Sequence, residues 1–157
     1  MRVCHLLAAF LCLAFLSGLL GCIESGNRIA NDFNVSAHAS LTNSVSTVSF
    51  SSVTTFKWDK VFIFGPYTPA TNIDAALGYD WPSSAKTRIE RSETEYLIVF
   101  TKNGTVVQSC EFSVEFGNFE PLYSPASFSY GADIFTVKQA TNSNRLIYTP
   151  KTVSMVK

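Results

Sequence analysis

The sequence predicts an α+β domain: an antiparallel sheet with one short helix packed on it, behind a flexible N-terminal segment. Three observations lead there. Residues 95–116 carry two apolar, β-branched and aromatic runs joined by Asn103-Gly104, and this dipeptide favours a two-residue hairpin because both central positions want positive φ. Pro69 and Gly78 bracket one helical stretch in which Ile73 and Leu77 lie one turn apart, with proline near the start and glycine just past the end. Further short apolar runs over 127–130, 133–138 and 145–149 are separated by polar turns such as Thr141-Asn142-Ser143-Asn144, the spacing of additional strands.

The elements follow in order. Residues 22–49 are rich in serine and asparagine, hold few large apolar groups and show no helical periodicity, which predicts a spacer. Residues 51–56 suit a single helical turn capped by serine, and Lys57–Phe64 a strand whose continuously apolar end, Val61–Phe64, is buried on both faces. Gly65-Pro66-Tyr67 breaks it. Thr68 is placed to cap the helix, Pro69 to occupy its first position and Gly78 to end it. Tyr79-Asp80-Trp81-Pro82 forms a loop. A two-residue turn at Asn103-Gly104 sets Lys102 against Thr105, Phe100 against Val107, Leu97 against Cys110 and Glu95 against Phe112. That register collects Leu97, Val99, Cys110, Phe112, Val114 and Phe116 on one face and Glu111, Ser113 and Glu115 on the other. Residues 117–126, with Pro121 and Pro125, are predicted to be a loop.

The N-terminus has a different character. Arg2 precedes the apolar run Leu6–Leu16, and Leu19-Leu20-Gly21-Cys22 follows. A positive start before 7–15 apolar residues is the build of a secretory signal. Leu19-Leu20-Gly21-Cys22 resembles the lipobox of bacterial lipoprotein precursors. The resemblance implies cleavage between Gly21 and Cys22 and a diacylglycerol on the Cys22 sulfur. It also implies three segments: a signal over 1–21, a lipid-anchored spacer over 22–49 and a domain over 50–157. Ile23, where aspartate is absent, implies outer-membrane sorting in a double-membrane organism, with the body facing the periplasm. Two other readings of these residues stand beside it. Val3–Ile23 is free of charge and long enough for an uncleaved inner-membrane anchor, which needs about 20 apolar residues; a cleaved signal without lipid is the other. The run Trp58–Thr68 is similar to a segment of small uncharacterised bacterial lipoproteins, a resemblance that implies class without activity.

Composition narrows the function. The 157 residues carry 12 basic and 12 acidic side chains, so no basic face recommends nucleic acid. Cleavage before Cys22 would leave Cys110 as the only other cysteine, with His38 the only histidine. A thiol nucleophile needs a base such as histidine, and zinc needs a Cys/His cluster, so Cys110 is expected in the core, His38 on the surface, and neither metal nor cofactor is expected. Glu111 and Glu115, four residues apart on one strand, are separated by about 13 Å, beyond the about 5–9.5 Å of glycosidase carboxyl pairs. Glu93 and Glu95 have the spacing but sit among Ser92 and Thr94 at a strand edge. No Gly-x-Ser-x-Gly elbow or phosphate-cradling glycine loop is present. The expected function is therefore non-catalytic: a lipid-anchored envelope protein that binds another envelope protein, with an inhibitor or immunity role against an envelope-directed enzyme as the alternative and a wall or glycan hydrolase behind both. Trp58, Tyr67, Tyr79 and Trp81 are the candidate partner contacts, since aromatics near loops anchor interfaces; the same four are equally suited to packing the helix onto the sheet.

Overall fold

A computed structural model of the chain describes residues 21–42, 46–120, 122, 125–141, 143–151 and 154–155. Residues 1–20, within the segment 1–21 expected to be a signal, lie outside that range. The architecture is α+β. Two sheets enclose a common core, and a helical layer covers the outer face of one of them.

The first sheet holds β1 (Thr47–Ser49), β7 (Ile134–Gln139), β8 (Leu146–Pro150) and β5 (Gly117–Phe119), in that spatial order. The second holds β4 (Thr105–Ser113), β3 (Glu95–Lys102), β2 (Lys60–Phe64), β6 (Ala126–Ser129) and β9 (Ser154–Met155). All pairings are antiparallel except β5 with β8. β2 is apolar and buried on both faces as expected: Val61 and Ile63 face the inter-sheet core, and Phe62 and Phe64 face the helical layer. That layer is α3 (Ala70–Leu77) and two 3-10 turns, Ser84–Lys86 and Ile89–Arg91, which contribute Ile73 and Ile89.

The largest correction concerns residues 22–49. The described part of that stretch, 22–42 and 46–49, is not a spacer. Gly21–Thr42 is a helix, α1, and Ile29, Ala30, Phe33 and Ala37 on it are buried. The spacing of Ile29, Phe33 and Ala37, four residues apart, places them on one face. Phe33 is fully buried and stacks on Phe50, at the start of the short helix α2 (Phe50–Val53), with ring centroids 4.1 Å apart. It also meets Phe112 of one sheet at 5.8 Å and Phe135 and Tyr148 of the other at 6.0 and 5.2 Å. The domain thus begins at the helix, not at residue 50.

The hairpin is the second correction. Asn103 and Gly104 have φ of 51° and 76°, and Lys102 pairs with Thr105, as the turn demands. One pair further on, the register shifts: Thr101 pairs with Val106, but Phe100 pairs with Gln108, leaving Val107 as the extra residue of a β-bulge. Ile98, not Leu97, then lies opposite Cys110, and Tyr96, not Glu95, opposite Phe112. Leu97 and Val99 belong to the helical layer's core, while Ile98, Phe100, Cys110 and Phe112 belong to the inter-sheet core. Because β3 is apolar on both faces, the slip costs no burial. β4 ends at Ser113, so Val114 and Phe116 fall in the turn that follows.

Smaller differences have local causes. Pro69 is the cap residue of α3, not its first helical residue, and its carbonyl accepts from Asn72 and Ile73; the Thr68 hydroxyl donates to the Gly65 carbonyl at 2.7 Å instead of capping. Gly78 ends α3 in the left-handed conformation, φ 82°. In α2 no serine side chain caps the helix. The fully buried Asp133 carboxylate accepts from the Ser51 and Gly131 amides at 2.7 and 3.0 Å. The 57–64 strand is confined to Lys60–Phe64. Residues 117–119, expected in a loop, pair with β8. Gly117 makes this possible: at φ 145°, a Cβ there would sit 2.6 Å from the Leu146 carbonyl oxygen and from the Tyr148 ring.

Two predictions follow from this packing. Phe33→Ala is expected to cost about 3–5 kcal/mol, the usual range for an aromatic removed from a core, measured by urea unfolding. Val35→Ala, at an exposed position on the same helix (59% exposed), should fall within about 0.5 kcal/mol of wild type. A detached segment would give two equal, negligible effects. Gly117→Ala is expected to destabilise by about 1–3 kcal/mol through backbone strain with the displaced β8 backbone adding to it, read as a fall in Tm.

Candidate functional site

The bulge and α1 together build a groove of about 470 Å³ along the outer edge of β4. Gly26 and Asn27 of α1 form one wall, Val106–Glu111 of β4 the floor, and Trp81 and Lys86 of the connector after α3 the other wall. β4 is an edge strand, and α1 crosses it at Gly26. A Cβ on Gly26 would lie 3.1 Å from the Ser109 carbonyl oxygen, so glycine permits the close crossing. The helix thereby covers part of an edge that would otherwise offer unpaired backbone groups.

The connector is fastened at three points, one on α3 and two on the strands of the groove. The Trp81 amide donates to the Asp74 carboxylate at 3.0 Å. The Val106 amide donates to the Tyr79 hydroxyl at 3.0 Å. The Arg88 guanidinium binds two carboxylates, Glu95 at 3.2 Å and Glu111 at 2.8 Å. The hydrogen bond that Arg88 donates to Glu111, the Glu111 charge and that of Glu95 hold Arg88 above the usual arginine range. The bulge makes this clamp: by pairing Leu97 with Glu111 it sets Glu111 and Glu95 two residues apart on one face. The predicted register had kept them on opposite faces. Both carboxylates bind the same Arg88 nitrogen, at 3.2 and 2.8 Å.

The four aromatic contact candidates are not brought together. Trp58 is buried, donates from its indole nitrogen to the Thr54 hydroxyl at 2.8 Å and packs on Phe100 and Tyr130 at 5.3 and 4.8 Å. It is a core residue on the far side of the sheet from α3, which removes it from the contact set. Tyr79 and Trp81 are half-buried, and both brace the connector through the bonds above. Tyr67 alone is well exposed, at 58%. Its backbone is left-handed, φ 62°, a conformation that costs a non-glycine residue of order 1 kcal/mol or more. The Tyr67 amide bond to the Ile89 carbonyl, 2.9 Å, holds it there. The Tyr67 hydroxyl donates to Glu93 at 3.1 Å, which raises the phenol above its ordinary range.

Cys110 sits beneath the groove floor, buried among Phe112 and the α1 residues. Burial, and secondarily the Glu111 charge, push its thiol up to about 12 from 9.0. It is neutral in the physiological range and is a free thiol. His38 is exposed on α1. Gly21 and Cys22 occupy the first turn of α1. Among the described residues no cluster of three His, Cys, Asp or Glu side chains is arranged to hold a metal ion, and no helix is long and apolar enough to cross a membrane.

Neither the bulge nor the Arg88 clamp was visible in the sequence. The only available signal was that β3 is apolar at consecutive positions, which makes either face acceptable to the core. No family model, curated protein or solved structure matches this chain.

Because the folded Cys110 favours its neutral form, its contribution to stability is complete below the unfolded thiol value near 9.0 and is lost as pH rises toward about 12. Unfolding midpoints measured across that window should fall more steeply for wild type than for Cys110→Ala. The Cys110 thiol should also resist an alkylating reagent at pH 8 until the chain is unfolded.

Proposed function

We propose that this chain is a bacterial lipoprotein, anchored through diacylglycerol on Cys22, whose folded body acts by binding another envelope protein. The observation that carries the reading is Leu19-Leu20-Gly21-Cys22 behind the apolar run Leu6–Leu16. Two chains of lipid make attachment effectively stable, since each buried methylene contributes about 0.8 kcal/mol. The chemistry of the body is compatible with it. Cys110 is locked in the core, so no intrachain disulfide competes for the Cys22 sulfur. The evenly balanced charge gives the body no strong attraction to nucleic acid. The outer membrane, with the domain facing the periplasm, is the proposed location.

The binding reading rests on surface chemistry. Glu95 and Glu111 are both engaged by Arg88, an arrangement that favours a structural ion cluster over a catalytic carboxyl pair. Tyr67 is held outward at a strained position, and strain of this kind gathers at functional surfaces. A partner that docks there would use the Tyr67 ring with the neighbouring Pro66 and Glu93.

The test is the mass of the N-terminal peptide from wild type and from Cys22→Ala expressed in a bacterial host. A peptide beginning at Cys22 and carrying diacylglycerol, lost in the variant, is the expected result. An intact Met1 would establish an uncleaved anchor, and an unmodified Cys22 a soluble secreted protein; either overturns the proposal. For the binding role, Tyr67→Ala should leave Tm within about 2 °C of wild type, as for a surface substitution, while reducing recovery of the cross-linked envelope partner.

A further inference from the structure

The distance along the chain between the proposed lipid and the folded body is short, and this fixes which face of the domain meets the membrane. We infer that the groove face of the domain, formed by Val107, Trp81 and Lys86 around the start of α1, lies against the surface of the membrane that holds the Cys22 lipid. This rests on the lipoprotein reading.

Three observations support it. First, α1 is helical from Gly21, and Gly26 is already packed against Ser109 and Cys110 of β4. Gly26 is four positions along from Cys22, about 6 Å as helix at 1.5 Å per residue and no more than about 14 Å fully extended. A lipid on Cys22 therefore draws the β4 edge to within the thickness of a headgroup layer. Second, the residues around Gly26 have the chemistry of that layer. Val107, forced outward by the bulge, is 44% exposed; Trp81 is half-buried with its body on the helical-layer core; Lys86 is exposed. Tryptophan belongs at membrane interfaces, and lysine there can extend its charge to lipid phosphate. Third, Glu111, the one carboxylate among the groove's lining residues, is balanced there by Lys86, which lines it too, so the groove lining carries no excess negative charge to oppose an anionic surface. The opposite end of the domain differs. The Val137 amide bonds the Ser46 carbonyl, four residues beyond the end of α1, at 2.8 Å. The β7–β8 turn, with exposed Ser143 and Asn144, thus lies at the far end of a helix that runs about 24 Å from Gly26 to Thr42.

The experiment uses the full chain processed in the bacterial host and reconstituted into phosphatidylethanolamine–phosphatidylglycerol vesicles containing a nickel-chelating lipid. A nitroxide is attached at Val107→Cys or, in a separate sample, at Ser143→Cys. Cys110 is buried and does not compete for the label, and both positions are exposed, so the substitutions should leave the fold intact; circular dichroism of each labelled chain checks this. Collision of the nitroxide with membrane-bound nickel is expected to be several-fold greater at position 107 than at 143. Equal collision at both positions, in chains whose N-terminal peptide carries the lipid, overturns the apposed face and leaves the lipoprotein reading standing. Absence of lipid from Cys22 in the same preparation overturns both.

Discussion

The Phe33 ring is the constraint on which the rest of the structure depends. It is a fully buried ring that α1 inserts between the sheets, stacked on Phe50 and edged by Phe112, Phe135 and Tyr148. Phe119 joins the same cluster through Phe112, Phe135 and Tyr148 at 5.0–5.4 Å. Aromatic pairs at such distances contribute about 0.5–1.5 kcal/mol beyond the area they bury. The ring packs on residues of both sheets, whose shortest strands, β1, β5 and β9, are only two or three residues long. With Phe33 in place, α1 crosses the β4 edge at Gly26 and forms a wall of the groove. Without it, the helix keeps only the smaller buried contacts of Ile29, Ala30 and Ala37; its ion pair, Arg28 with Asp32 at 3.8 Å, is exposed and such pairs contribute little.

What could be read from the sequence was local. Asn103-Gly104 specified its own turn because only a few residues accept two successive positive φ values. Gly78 marked the end of α3 for the same reason. Val61–Phe64 announced burial on both faces through an unbroken apolar run. The class of fold followed from these elements together.

What escaped reading was non-local. α1 carries one phenylalanine and two isoleucines among serines, asparagines and a histidine, residues of modest helix propensity, and its buried stripe of Ile29 and Phe33 is completed by alanines. Tertiary packing, not propensity, makes it a helix. The bulge at Val107 escaped for a subtler reason. A one-residue slip normally exposes a core face, and the predicted register was attractive on that ground. In β3 both faces are apolar, so alternation could not choose between them, and α1 and α3, packed on opposite sides, made the choice. The same slip decided the site: it turned Val107 outward and set Glu95 and Glu111 on one cation. Trp58 looked like a contact because of its neighbours in sequence, yet its neighbours in space are Phe100 and Tyr130. β5 escaped because three residues containing an obligatory glycine leave no periodicity.

The integration of α1 into the domain is the central claim, because the groove, the membrane-facing surface and the absence of a spacer all follow from it. Native-state hydrogen exchange of the amides of residues 30–37, compared with those of Ile98–Phe100 in β3, measures it most directly. Both sets should exchange only through global unfolding, with the same free energy and the same dependence on denaturant. Exchange of residues 30–37 at the rate of unstructured chain, while Ile98–Phe100 stay protected, would contradict it.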